Sequence, residues 1–160
     1  MNSIYKSEKG DESNYWNWNG FRIFWSVRGK KNQHPIILLH GFGASSKHWR
    51  SNSYYFEKKG YSVYSIDLIG FGNSAQPGIR EIGKLDNGVW CNQVSDFIKQ
   101  VIRPKTSNKI ILIGNSLGSL VALTCAVYLK NEILSVIASP LPDPIAVSYT
   151  HLTLPTTSKV

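Results

Sequence analysis

Short apolar runs separated by polar, glycine-rich breaks dominate this chain. Pro35–Leu39, Tyr61–Ile66, Ile110–Ile113 and Ile133–Ser139 are each too brief for a buried helix. The unbroken apolar character of Pro35–Leu39 and Ile110–Ile113 predicts strands covered on both faces, and Tyr61–Ile66 and Ile133–Ser139, interrupted only by serine, read as further buried strands. From Tyr15 to Arg28 the pattern differs: Trp16, Trp18, Phe21, Ile23, Trp25 and Val27 alternate with Asn17, Asn19, Arg22, Phe24 and Ser26, and Asn19-Gly20 marks a turn. Such alternation predicts an antiparallel hairpin with one buried face. The same aromatics could form a base-stacking platform, but strict period-two spacing favours core packing.

Helical spacing fills the intervals. Ser45 or Ser46 can cap a helix through Trp49, Tyr54, Tyr55 and Phe56 that stops at Gly60. Leu85–Arg103 places Val89, Trp90, Val94, Phe97, Ile98, Val101 and Ile102 on one face, with Asp86 or Asn87 as cap and Pro104 just beyond. Ser119–Lys130 follows the third parallel strand as another helix, while 75–84, with Pro77 and Gly78, reads as irregular. Residues 1–14 are polar and expected to be flexible. Strands and helices in alternation imply an α/β fold, a doubly wound, mostly parallel sheet with an N-terminal antiparallel hairpin.

Composition narrows the classes. Of 160 residues, 42% are hydrophobic and 18% charged, which suits one globular domain. The net charge of +8 comes from scattered Lys and Arg, so neither nucleic acid nor a membrane surface is expected as partner. No apolar leader opens the chain, and Leu117–Leu129 is too short to span a bilayer, so a cytoplasmic location is expected. Cys91 and Cys125 lack C-x-x-C or metal-ligand spacing and read as buried thiols in a reducing compartment. No metal and no cofactor is expected, and no oligomeric state is specified.

The chemistry concentrates at Gly114-Asn115-Ser116-Leu117-Gly118, a Gly-x-Ser-x-Gly pattern between predicted strand and helix. The bare pattern also arises in ordinary Gly/Ser turns. In a strand-turn-helix context it projects the Ser116 hydroxyl clear of the backbone as a nucleophile. The Leu117 N–H, at the helix start, would face a developing oxyanion. A second glycine-rich loop, His40-Gly41-Phe42-Gly43, follows the first parallel strand. It lacks the third glycine of a dinucleotide fingerprint, because position 46 is Ser, and fits an oxyanion loop better, with the Phe42 N–H as second donor.

Three motifs in order, HGFG at 40–43, DLIGFGNS at 67–74 and GNSLG at 114–118, resemble the α/β-hydrolase superfamily over about Tyr15–Pro144. DLIGFGNSAQP and NSLGS followed by SPLPDP further resemble its plastid and cyanobacterial pheophytinase-like group. The resemblance implies a serine hydrolase that cleaves an ester or thioester by acyl transfer through Ser116, on a small-molecule substrate. It implies that His40, with Gly41 and Gly43, shapes the oxyanion loop, that Gly114 and Gly118 frame the elbow, and that Asp67 organises its own loop. His34 and His48 are expected at exposed loop and helix positions, and Asp143, between two prolines, in a loop. A non-catalytic homologue, a receptor or scaffold that retains the serine, is the alternative.

In the superfamily the triad acid and histidine follow the nucleophile, yet 44 residues remain after Ser116. One further strand-crossover-strand unit alone takes ~30 residues. Val147–Thr156, VSYTHLTLPT, resembles the translation of a transposase-type sequencing adapter. The expectation is therefore an N-terminal half of the fold over 15–146, a non-native tail over 147–160, and a fragment that is inactive and poorly soluble. His151, in the right chain order for a base, is excluded on that ground.

Overall fold

The computed structural model describes residues 12–30 and 33–140. Expectations that fall on 1–11, on Asp143, on His151 and on the 147–160 tail lie outside the described residues. Strands β1 (Glu12–Trp18), β2 (Phe21–Arg28), β3 (His34–Leu39), β4 (Tyr61–Ile66), β5 (Ile110–Gly114) and β6 (Ile133–Ala138) form one sheet in the order β1-β2-β4-β3-β5-β6. β1, β2 and β4 pair antiparallel, whereas β4, β3, β5 and β6 run parallel. The helices are α1 (Arg50–Lys58), α2 (Ile79–Ile82), α3 (Asn87–Phe97) and α4 (Leu117–Tyr128).

Both faces of β3, β4 and β5 are covered, whereas β6, expected to be covered likewise, is largely exposed because it has a strand partner on one side only among the described residues. Along β3, Ile37 and Leu39 enter the larger core with Trp25, Tyr64, Trp90, Val94, Phe97 and Val121. Ile36 and Leu38 turn the other way, onto Trp49, Val63 and Ile113. Side chains alternate across the strand, so one run of five apolar residues serves two cores. The hairpin closes over α3 and the turn that follows it: Trp18 Nε1 donates to Asp96 at 2.9 Å and Trp16 Nε1 to Gln100 at 3.1 Å.

Several boundaries differ from the sequence reading. β1 begins at Glu12, three residues before the aromatic alternation, because backbone pairing with Val27 continues where no apolar side chain signals it. His34, expected in a loop, pairs with Tyr61 and so opens β3, where it remains exposed. A 3-10 turn over Ser46–Trp49 precedes α1, and neither serine caps it through its side chain; the Ser46 N–H is taken by Asp67 instead. Within 75–84, Ile79–Ile82 forms one helical turn, with Glu81 accepting from the Gly78 N–H. Asp86 is the cap of α3, accepting from the Val89 N–H at 3.1 Å. That helix ends in a π turn over Ile98–Ile102.

Among the described residues β6 lies at a sheet edge. Its register against β5 skips Leu134, and Leu134 and Ile137 are 57% and 51% exposed. Unpaired backbone groups along an edge strand are a template for association.

Candidate active site

In the parallel register Leu39 pairs with both Ile66 and Gly114, so β3, β4 and β5 end level with one another. The three motif-bearing loops, 40–43, 67–74 and 114–118, therefore emerge along one edge of the sheet. That edge is where parallel α/β sheets assemble sites.

At the elbow, Ser116 has φ 51° and ψ −115°, a left-handed conformation that a residue with a Cβ adopts at a cost. Backbone bonds hold it there: the Asn115 N–H donates to Leu39 O at 3.1 Å, the Ser116 N–H to Pro140 O at 3.0 Å, and the Gly118 N–H to Asn115 O at 2.9 Å. Ser119 adds a side-chain brace, its Oγ donating to Gly114 O and accepting from the Ser139 N–H. Glycine is required at both flanks by space. A Cβ on Gly114 would lie 2.3 Å from Gly118 O, and one on Gly118 would lie 2.1 Å from Leu39 O. The helix thus starts directly against β3.

The 40–43 loop rests on the elbow: a Cβ on Gly41 would come within 2.9 Å of Asn115 Oδ1 and 3.3 Å of the Ser116 Cβ. Among the described residues, neither the Phe42 N–H nor the Leu117 N–H has a hydrogen-bond partner. Ser116 Oγ likewise makes no bond to a described residue, and the side chain is half-buried. Phe42 is 43% exposed and packs edge-on against Phe71, which in turn contacts His40 and Trp90. Phe71 thus joins the 40–43 loop to the 67–74 loop and α3 through ring contacts.

His40 is buried with both ring nitrogens engaged. Nε2 accepts the Leu68 N–H at 3.0 Å, so the ring proton sits on Nδ1 and is donated to Gly41 O at 2.8 Å. Burial lowers its pKa, against smaller opposing effects of the Gly41 carbonyl and Asp67. The imidazole is a neutral brace between two loops. Asp67 braces the chain in a similar way. Its Oδ1 accepts from the Ser46 N–H at 2.6 Å and its Oδ2 from the Asn73 N–H at 2.7 Å. Gly72 is needed beside it, since a Cβ there would lie 2.2 Å from Asp67 Oδ2 and Gly72 has φ +57°. His34 and His48 are exposed.

Two supporting residues escaped the sequence reading. Gln93 Oε1 accepts the Ile69 N–H at 3.0 Å and its Nε2 donates to Asp67 O, from a fully buried position. A polar residue inside the apolar stripe Val89, Trp90, Val94, Phe97 was the available signal. Ser74 Oγ donates to Asp67 O at 2.6 Å and accepts the Phe24 N–H at 3.0 Å, tying the loop to β2. Among the described residues no group of three or more His, Cys, Asp or Glu could hold a metal ion. No described helix is long and apolar enough to cross a membrane.

The α/β-hydrolase fold family model matches residues 34–149, most of the chain and all three loops. The chain belongs to the α/β-hydrolase fold family. This α/β-hydrolase chain is 32% identical to epoxide hydrolase 4 of Mus musculus over 79% of its own length and 33% of that protein's. It is 26% identical to a pimeloyl-[acyl-carrier protein] methyl ester esterase of Aliivibrio fischeri, over 74% of its own length and 41% of the esterase. Among solved structures, the thioesterase domain from the curacin biosynthetic pathway superposes with a TM-score of 0.74 at 20% identity, covering 89% of this chain and 52% of that one. The chain thus spans about a third to two fifths of the length of these curated relatives.

Proposed function

We propose that this chain carries the nucleophile and oxyanion half of a serine hydrolase that cleaves a small-molecule ester or thioester by acyl transfer. The observation that carries the reading is Ser116, held at φ 51° on a strand-to-helix turn with its hydroxyl unbonded among the described residues. Strain of this kind persists where surrounding structure enforces it, and it serves here to present the oxygen.

In the reaction, Ser116 Oγ attacks the substrate carbonyl carbon while a base takes its proton. The resulting oxyanion accepts hydrogen bonds from the Phe42 and Leu117 N–H groups. Collapse expels the alcohol or thiol, which leaves with the proton from the base. Water then attacks the acyl-serine by the same route and releases the acid. Gly41, Gly114 and Gly118 keep the two loops close enough to act on one carbonyl, and Gly43 supplies the φ of +70° that the 40–43 loop needs.

The elbow residue also bears on which relative is the better guide. A hydroxyl that opened an epoxide would be left as an ether, which offers water no carbonyl to attack. A hydroxyl that attacks an ester becomes an ester, which water cleaves. Serine at 116 therefore favours the esterase and thioesterase relatives over the epoxide hydrolases. His40 is committed through both nitrogens, His34 is an exposed residue at the end of β3 opposite the elbow and His48 is exposed, so the base and its acid partner are assigned to residues outside those described. We assign no turnover to the 160-residue chain by itself.

Labelling of the full-length parent by a fluorophosphonate probe tests the reading. Covalent labelling that is lost in Ser116→Ala supports it, as does absence of p-nitrophenyl ester hydrolysis by the 160-residue chain. A folded parent that takes no label is a non-catalytic receptor or scaffold, and the proposal fails.

A further inference from the structure

Cys91 and Cys125 are 34 positions apart in sequence, yet the packing of α3 on α4 brings their sulfurs to 3.3 Å. Both are free thiols, and both are buried. They are not equivalent. Cys91 is 4% exposed and lines a cavity of about 340 Å³ between the helices, together with Asn87, Asn92, Ser95, Thr124 and Tyr128. Cys125 lies behind it, away from solvent. Its S–H donates to Cys91 Sγ, with the Cys91 carbonyl a second acceptor at 3.8 Å.

We propose that Cys91 and Cys125 are a reversible oxidation site, which a hydroperoxide entering the α3–α4 cavity converts into an intramolecular disulfide. The cavity has room for a molecule of that size and a half-polar lining of amide and hydroxyl groups to admit it. Cys91 reacts first, because it faces the cavity and because the Cys125 S–H stabilises its thiolate, lowering its pKa against the effect of burial. The same hydrogen bond and deeper burial raise the Cys125 pKa, so Cys125 stays protonated until its partner is oxidised.

The electron count closes. The Cys91 thiolate attacks one peroxide oxygen, the O–O bond breaks, and the other oxygen leaves with a proton as water or an alcohol. Cys125 Sγ then attacks the sulfenyl sulfur, the S–O bond breaks, and hydroxide departs with the Cys125 proton as water. Two electrons pass from the thiols to the peroxide. Bond formation closes the sulfurs from 3.3 Å to about 2.05 Å. A small thiol reverses it by exchange. The bridge fastens α4, whose first residue is Leu117, to α3.

Hydrogen peroxide treatment of the folded chain, quenched by alkylation in denaturant, is the first test. Loss of both thiols together, a mass lower by two hydrogens and a joined Cys91–Cys125 peptide support the proposal. Sulfinic acid on Cys91 with Cys125 still alkylated, or disulfide-linked dimers, overturns it. In Cys125→Ser the oxidation halts at a Cys91 sulfenic acid that dimedone traps, whereas Cys125 in Cys91→Ser stays reduced; equal dimedone labelling of both variants overturns the assigned order. A second measurement on the unsubstituted chain covers variants that fail to fold. Against a glutathione buffer, the effective concentration of the pair is at least about tenfold higher in the folded chain than in urea, because the fold holds the thiols oriented. Equal values in both states overturn the proposal.

Discussion

Replacing Ser116 by glycine and, separately, by alanine separates backbone strain from side-chain chemistry at the elbow. Serine at φ 51°, ψ −115° costs about 1–3 kcal/mol relative to an unstrained residue. Glycine adopts that conformation freely but loses about 0.4–1 kcal/mol through the larger entropy of its unfolded chain. Ser116→Gly is therefore expected to stabilise the fold by about 1 kcal/mol. Alanine keeps the Cβ and hence the strain, and Ser116 Oγ has no bond to a described residue for it to lose, so Ser116→Ala is expected to be near neutral. With a urea dependence of about 2 kcal/mol per molar, the glycine midpoint lies about 0.5 M above the other two. Tryptophan fluorescence reads the transition, since Trp25, Trp49 and Trp90 are buried in the cores. A glycine variant no more stable than the alanine variant refutes the claim that the elbow stores strain.

Two further outcomes follow from the loops. In Asp67→Asn the side chain meets the Ser46 and Asn73 N–H groups with one acceptor and one donor, where the carboxylate supplies two acceptors. One buried N–H loses its partner, at a cost of about 2–3 kcal/mol, and the thermal midpoint falls by about 10 °C; a fall of a degree or less shows that Asp67 does not organise the loop. The second concerns acid. Burial holds the His40 pKa below its usual 6.5, so below that pH the unfolded chain binds a proton that the folded chain refuses. The stability this group contributes is complete above pH 6.5 and declines as pH falls toward the folded pKa, with a slope of at most about 1.4 kcal/mol per pH unit. Urea midpoints from about pH 7.5 to about pH 5 measure it, and His40→Gln removes that share of the slope; an unchanged slope refutes the neutral brace.

β3 and β5 were legible because burial on both faces writes an unbroken apolar run. Ile110–Ile113 and Pro35–Leu39 needed no other cue, and Asn19-Gly20 announced its hairpin in the same way. The ends of elements were less legible. Glu12–Asn14 carry no apolar signal and join β1 only because the backbone of β2 is there to pair with. Ser45 and Ser46 had cap chemistry, but the Ser46 N–H is satisfied by Asp67 from beyond a different strand, and no local pattern records a partner 21 residues away. Ile79–Ile82 was hidden by Pro77 and Gly78, which suggest a break and here precede a single turn.

By itself the sequence determined the periodicities, the glycines and the order of the three loops, because these follow from local sterics and from which face of each element meets the core. Only the tertiary structure decided how those loops meet. The shared register of β3, β4 and β5 sets their ends level, the missing Cβ atoms of Gly41, Gly114 and Gly118 let the loops touch, and the His40 ring bonds Leu68 and Gly41 through its two nitrogens. The pairing of Cys91 with Cys125 belongs to the same class. Contacts between residues 34 apart depend on how two helices cross, and no spacing rule along one chain encodes that crossing.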